Sequence, residues 1–231
     1  MMSNWKRFVL ILTAAVMTIP LYCCGEKEET SGSSVSDSDE NTSSQESNSD
    51  GESSESAAEI TAATEQAPIP QEYDGSQVDD ACAKVISDYF TAIMNQDYEA
   101  YKATLDPYYF QVYSDWLDGN FGYGMETSFE TMHQNLMDQA GAQNVTIQKV
   151  TLHPAEPADG ETDIQEAIDD YLADYDGIIG AGFSEELKKQ CDELVDIQFT
   201  LTADCDGTEK EIMTNMELLM TVTDGVYRIL G

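Results

Sequence analysis

Basic side chains are what this sequence most lacks. Ten Lys and Arg stand against 45 Asp and Glu in 231 residues, a formal charge of −35. Without a basic surface to displace phosphate counterions, a nucleic-acid binder is excluded. The same shortage excludes electrostatic docking on an anionic membrane surface. Two His leave little for a His-rich metal centre. The five Cys contain no C-x-x-C pair, so neither a zinc ribbon nor a dithiol redox motif is present. The uncharged run from Phe8 to Tyr22 has fifteen residues, short of the roughly 20 that span a bilayer. Gly119–Gly124 follows no predicted strand and precedes no basic residue, so it does not read as a phosphate cradle. At 41% apolar residues there is still enough to bury a core.

What is present begins as an address. Lys6 and Arg7 precede the apolar run, the pattern of a secretory signal peptide over residues 1–23. The run ends in Leu21-Tyr22-Cys23-Cys24-Gly25. This resembles a bacterial lipobox, with Leu21 and Cys23 at the recognition positions and Cys24 as the lipidated residue. That resemblance implies an extracytoplasmic protein held on the cell membrane through Cys24.

Residues 24–75 read as a disordered linker. Between Thr30 and Ser56 there are twelve Ser and seven acids, with Val35 the only strongly apolar residue. Such a stretch buries too little surface to offset its ordering entropy, and acid repulsion extends it. The remaining 76–231 form the predicted folded domain, itself at −24 from 31 acids and seven bases.

Within that domain, Val78, Cys82, Val85, Ile86, Tyr89, Phe90, Ile93 and Met94 recur at helical spacing. Asp97 is placed to cap a second helical stretch, and Asp106-Pro107 supplies an N-cap and a proline at the first helical position of a third. That third helix is aromatic, with Tyr108, Tyr109, Phe110, Tyr113 and Trp116, and Gly119–Gly124 should end it. Thr127 and Glu130 have capping-box spacing for a fourth helix running to Gly141. Val145 and Ile147 alternate, then Val150 and Leu152 alternate on the opposite parity, predicting a strand with a bulge near Gln148-Lys149. A helix around Ile164, Ile168, Tyr171 and Leu172 and a short one capped by Ser184 follow. Val195, Ile197, Phe199, Leu201 and Ala203 then share one strand face. Ile212, Thr214, Met216, Leu218, Met220 and Val222 share the face of the return strand, and Asp224-Gly225 turns into the last strand. The class is α+β: helices packed on a curved antiparallel sheet.

The phrase Tyr89-Phe90-Thr91-Ala92-Ile93-Met94-Asn95-Gln96-Asp97-Tyr98, with Asp224-Gly225-Val226-Tyr227-Arg228-Ile229 at the end, resembles the NTF2-like (cystatin-like cone) superfamily. The likeness would cover 76–231. It implies a cone between helices and sheet that either holds a ligand or is filled by side chains. Extracytoplasmic lipoproteins of Gram-positive bacteria often carry such domains, whereas fold alone assigns no activity. The expected function is a non-enzymatic binding or interaction domain, its partner a small apolar ligand or an envelope protein. The alternative is an isomerase- or dehydratase-like enzyme with its site in the cone.

No residue matches a catalytic position of the enzymatic members. His133 and His153 read as boundary or surface histidines. Asp174, Asp176 and Gly177 have calcium-loop spacing, but Leu172 and Phe183 occupy the positions where an EF-hand needs Asp and Glu. No cofactor or metal is expected. Cys82, Cys191 and Cys205 could form one disulfide, the pair being left open, or stay free thiols.

Overall fold

The computed structural model describes residues 66–157 and 163–231. The expected signal segment, most of the linker and Cys24 lie outside the described residues. The elements run β1 (Gln71–Glu72), α1 (Asp80–Asn95), α2 (Tyr98–Thr104), α3 (Pro107–Phe121), α4 (Met125–Ala140) and β2 (Val145–Pro154). Then come α5 (Ile164–Ile178), α6 (Phe183–Gln190), β3 (Glu193–Cys205), β4 (Thr208–Thr223) and β5 (Val226–Ile229). The class is α+β. One five-stranded sheet has the order β1-β2-β3-β4-β5, with β1 parallel to β2 and every other pair antiparallel.

Local signals explain most boundaries. The Asp79 carboxylate accepts from the Ala81 N–H at 2.7 Å and starts α1; Gln96, left-handed at φ 54°, stops it. Asp97 then caps α2 through the Ala100 N–H at 3.0 Å. Asp106 and Pro107 open α3 as their order requires. The β2 bulge falls between Ile147 and Lys149, the Asp224-Gly225 turn joins β4 to β5, and Asp206-Gly207 joins β3 to β4.

Four expectations need correction. Gly119, Asn120 and Phe121 belong to α3, which stops only at Gly122, in the left-handed region at φ 75°. Thr127 and Glu130 make no capping box: α4 already starts at Met125, behind Gly124, without a side-chain cap. Ser184 does not cap α6, whose N-cap is Gly182; its N–H instead donates to the Asp176 carboxylate at 3.0 Å. In β4, Thr214 is exposed while Met213 is buried opposite Leu201, because Asn215 turns left-handed at φ 51° and the register slips there. One residue of slip moves a side chain to the other face.

The folded chain also begins ahead of residue 76. Ile69 is 2% exposed, and Gln66–Glu72 runs as a strap between α1 and β2. Ser87, Thr91 and Asn95, four residues apart, form a polar row down one face of α1 that holds it. The Ser87 hydroxyl donates to the Ile69 carbonyl at 2.8 Å, and the Thr91 hydroxyl oxygen accepts the Ile69 N–H at 3.3 Å. The Asn95 amide takes both backbone groups of Gln66, at 2.6 and 2.9 Å. The Gln66 side-chain amide in turn pairs with both backbone groups of Ile147, at 3.1 and 3.3 Å, doing for the sheet edge what a further strand would.

The core lies on the face of β3 and β4 bearing Ile197, Phe199, Leu201, Leu218 and Met220. The α1 helix packs there, with Phe90 and Phe199 ring centroids 5.1 Å apart and Cys82 Sγ 3.6 Å from Met220 Sδ. The opposite face is covered too. Asp196, Leu219 and Thr221 are buried on it, and α5 lies against β3.

Asn95→Ala removes both strap bonds at once and leaves two half-buried backbone groups of Gln66 to water. It should cost about 1–3 kcal/mol in denaturant unfolding. The Ile147 amide should lose hydrogen-exchange protection well ahead of the β3–β4 amides.

Candidate functional site

The space enclosed by the helices and the sheet is built from aromatic side chains. Tyr89, Phe90, Tyr101, Tyr109, Tyr175 and Phe199 are each at most 2% exposed. They reach it from α1, α2, α3, α5 and β3, so five elements converge on one cluster. Tyr89 and Tyr101 centroids are 5.4 Å apart, Tyr101 and Phe129 4.7 Å, Tyr109 and Tyr113 5.3 Å, and Tyr109 and Tyr175 5.7 Å. Offset and edge-on contacts of this kind add to the burial itself.

Two of the phenols are spent on backbone. The Tyr89 hydroxyl donates to the Gly231 carbonyl at 3.0 Å, and that of Tyr175 to the Leu230 carbonyl at 2.8 Å. They satisfy a stretch of chain that follows β5 and is buried with them. Burial raises the pKa of all five tyrosines, Tyr89, Tyr101, Tyr109, Tyr171 and Tyr175, above the ordinary phenol value. A general acid or base works best with a pKa near the operating pH. These groups are displaced the other way and stay protonated at neutral pH, two of them, Tyr89 and Tyr175, as donors to backbone carbonyls.

The candidate groups read from the sequence stay apart. His133 is half-buried on α4, where burial lowers its pKa, so it is neutral at pH 7. His153 is exposed on β2 opposite Gln198, in a shallow groove of about 640 Å³ that Gln77, Glu156 and Asn215 also line. This groove is polar and open to water, which weakens every electrostatic contact a reacting centre would use. Asp174 and Asp176 lie within α5, so no calcium loop forms, and Asp176 holds Ser184. Among the described residues no group of three or more His, Cys, Asp or Glu is placed to hold a metal ion.

Cys82, Cys191 and Cys205 are free thiols. Cys82 and Cys205 are buried, and burial pushes the Cys82 thiol up to about 12. That suppresses the thiolate a nucleophile needs.

Two constellations escaped sequence reasoning. One is the polar row Ser87/Thr91/Asn95, whose four-residue spacing on the side of α1 away from its apolar stripe was a readable signal. The other is Asp106 with Thr221. Asp106 is 8% exposed; one carboxylate oxygen accepts the Tyr108 and Tyr109 N–H groups at 2.9 Å each, and the other accepts the Thr221 hydroxyl at 2.9 Å. Only the cap half of that arrangement is local.

No protein-family model, curated protein or solved structure matches this chain. No helix of the described residues is long and apolar enough to cross a membrane.

A group whose pKa is raised on folding stabilises the fold fully below its unfolded pKa, and that stability is lost as the pH rises above it. The window follows from Cys82, ordinarily near 9 and here about 12, and from five buried tyrosines ordinarily near 10. Unfolding free energy should therefore be insensitive to these groups below pH 9 and fall steeply above pH 10. Phenolate absorbance near 295 nm should rise in two stages, exposed tyrosines first and the buried set only together with loss of circular dichroism.

Proposed function

We propose that this protein is a membrane-anchored, extracytoplasmic lipoprotein displaying a non-enzymatic interaction domain of the NTF2-like kind. The observation that carries this reading is the packing of the space between helices and sheet. Where a ligand-binding or catalytic cone would be open, Tyr89, Tyr101, Tyr109 and Tyr175 fill it and two of their hydroxyls are tied to Leu230 and Gly231. An isomerase or dehydratase site needs titratable groups with separated, accessible pKa values inside that space. The groups found there are phenols held protonated. Recognition then belongs to the outer surface.

The NTF2-like assignment is supported by the order of α1, the Asp97-capped α2 and the Asp224-Gly225 hairpin before β5. The parallel β1 and the helices α5 and α6, with α5 packed against β3 and α6 against α5, are additions to a minimal cone. Anchoring rests on Leu21–Gly25 and the polar stretch behind it, a lipid-bearing Cys24 followed by a leash.

Two experiments test the two halves. Expressed in a Gram-positive host with labelled palmitate, the protein should carry diacylglycerol on Cys24. Cys24→Ala should carry none, and a variant that still acquires the lipid ends the anchoring proposal. A panel of small apolar and aromatic ligands should leave the thermal midpoint unchanged. A ligand at a hundredfold its Kd would add about 2.7 kcal/mol, a shift of roughly 5–10 °C. A shift of that size would replace the interaction reading by a ligand-binding one.

A further inference from the structure

The far end of α3 carries an aromatic ledge that the fold does not use up. Tyr113, buried, stacks on half-buried Trp116 at 5.4 Å and an interplanar angle of 12°. Trp116 meets Phe121 edge-on at 5.4 Å, and Phe121 lies against Tyr123 at 5.8 Å. Gly122, in the left-handed conformation at φ 75°, ends the helix between Phe121 and Tyr123, and brings the second ring back beside the first. Phe121 is 49% exposed, one of only two large apolar side chains so exposed among the described residues. The ledge is thus rigid at its buried end and open at its outer end, the design of an interface anchor.

The stretch of chain that carries it has one sign of charge. From residue 103 to 148 the chain contains no Lys or Arg, against six acids. Asp115, Asp118 and Glu126 flank the three rings in sequence and are exposed. The same helix shows what such rings accept. At its other end Phe110 holds the chain's own Lys102, whose Nζ lies 4.8 Å from the ring centroid. A cation over an aromatic face is attracted by the ring quadrupole, and nearby carboxylates reinforce it. The ledge has rings and carboxylates but draws no Lys or Arg from its own α3–α4 segment.

We propose that the Trp116–Phe121–Tyr123 ledge is a docking site for a lysine- or arginine-bearing segment of another protein. This rests on the surface-interaction reading above and names its partner class. A second copy of this chain is a poor occupant, since residues 76–231 carry −24 and would repel one another.

The test uses the full chain with Trp5→Phe, which leaves Trp116 the sole tryptophan. The probe is a decapeptide alternating Lys and Gly, with its Gln-for-Lys counterpart as control. Because the acidic leash also attracts cations, the readout is Trp116 emission, which reports the ledge alone. The Lys peptide should give a saturable emission change that weakens as salt rises. The Gln peptide should give none. Phe121→Ala with Tyr123→Ala should weaken the response at least fivefold, on the order expected when ring contacts to a cation are lost. Asp115→Asn with Asp118→Asn, at exposed positions that leave the fold unburdened, should weaken it about threefold and flatten its salt dependence.

No emission change with the Lys peptide overturns the proposal. So does an equal response to the Gln peptide, which would mark the ledge as a site for neutral chains, or an unchanged response in both double variants. Any of these with ligand-insensitive thermal midpoints removes the ledge assignment and leaves the interaction reading intact. A ligand-raised midpoint removes that reading itself.

Discussion

The Asp106 carboxylate is where the helical layer and the sheet become one body. One of its oxygens takes the first N–H groups of α3, and the other takes the Thr221 hydroxyl near the end of β4. Its backbone N–H donates to the Ile229 carbonyl at 2.9 Å, and Leu105 beside it bridges to Ile229 in β5. A single residue therefore sets where α3 starts, how high it stands against the sheet and what closes the β5 edge. The partners are what make its burial tolerable. A carboxylate left without them would carry a desolvation cost of several kcal/mol, whereas here three donors surround it. Pro107 suits the site for the same reason: it has no N–H to compete for those oxygens.

From that fixed start the direction of α3 follows, and with it the aromatic interior. Tyr109 and Tyr113 project one turn apart from α3 toward Tyr89 on α1 and Tyr175 on α5. The chain beyond β5 is drawn between them, its carbonyls taken by Tyr89 and Tyr175. At the opposite edge the strap from Gln66 to Glu72 does for β2 what Leu105 does for β5. The edges of β2 and β5 are met by chain rather than left as open hydrogen-bonding edges, and edges so covered resist pairing with other chains. The two closures differ in means: at β5 the Asp106 backbone N–H meets the Ile229 carbonyl, whereas at β2 the Gln66 side-chain amide meets both backbone groups of Ile147.

Whether a feature was legible in the sequence depended on how far apart its causes lie. The Asp97 and Asp106 caps, the β2 bulge and the Asp224-Gly225 turn are decided within four or five residues, and each follows from local chemistry. Thr127-Glu130 and Ser184 met the same local rules and were overruled. Gly124 already stands at the N-cap of α4 three residues earlier, and Asp176, eight residues back, claims Ser184. The parity of β4 failed because Asn215 takes a positive φ with no glycine to announce it. The strap was hidden by its composition: Pro68, Pro70, Gln71 and Glu72 read as linker, and only Ile69 with the Ser87/Thr91/Asn95 row shows the docking. The interior was half legible. The aromatic run of α3 stood out, but the convergence of tyrosines from several elements is a property of the fold alone.

Tyrosine serves two purposes in this domain, and exposure separates them. In the interior the ring supplies burial, which raises the phenol's pKa, and in Tyr89 and Tyr175 the hydroxyl reaches a carbonyl that no strand pairs. At the outer end of α3 the same ring type is left half open in Tyr123, beside Phe121 and Trp116, where nothing in the fold requires it. A domain with its inner space closed by its own side chains keeps only its surface for recognition. On that surface, acids by themselves discriminate poorly, because a charge of this size attracts any cation. Rings by themselves discriminate poorly as well, because they accept any apolar face. Placed together on a rigid helix end, they require both properties of one partner, and that conjunction is what turns a solubilising charge into a selective one.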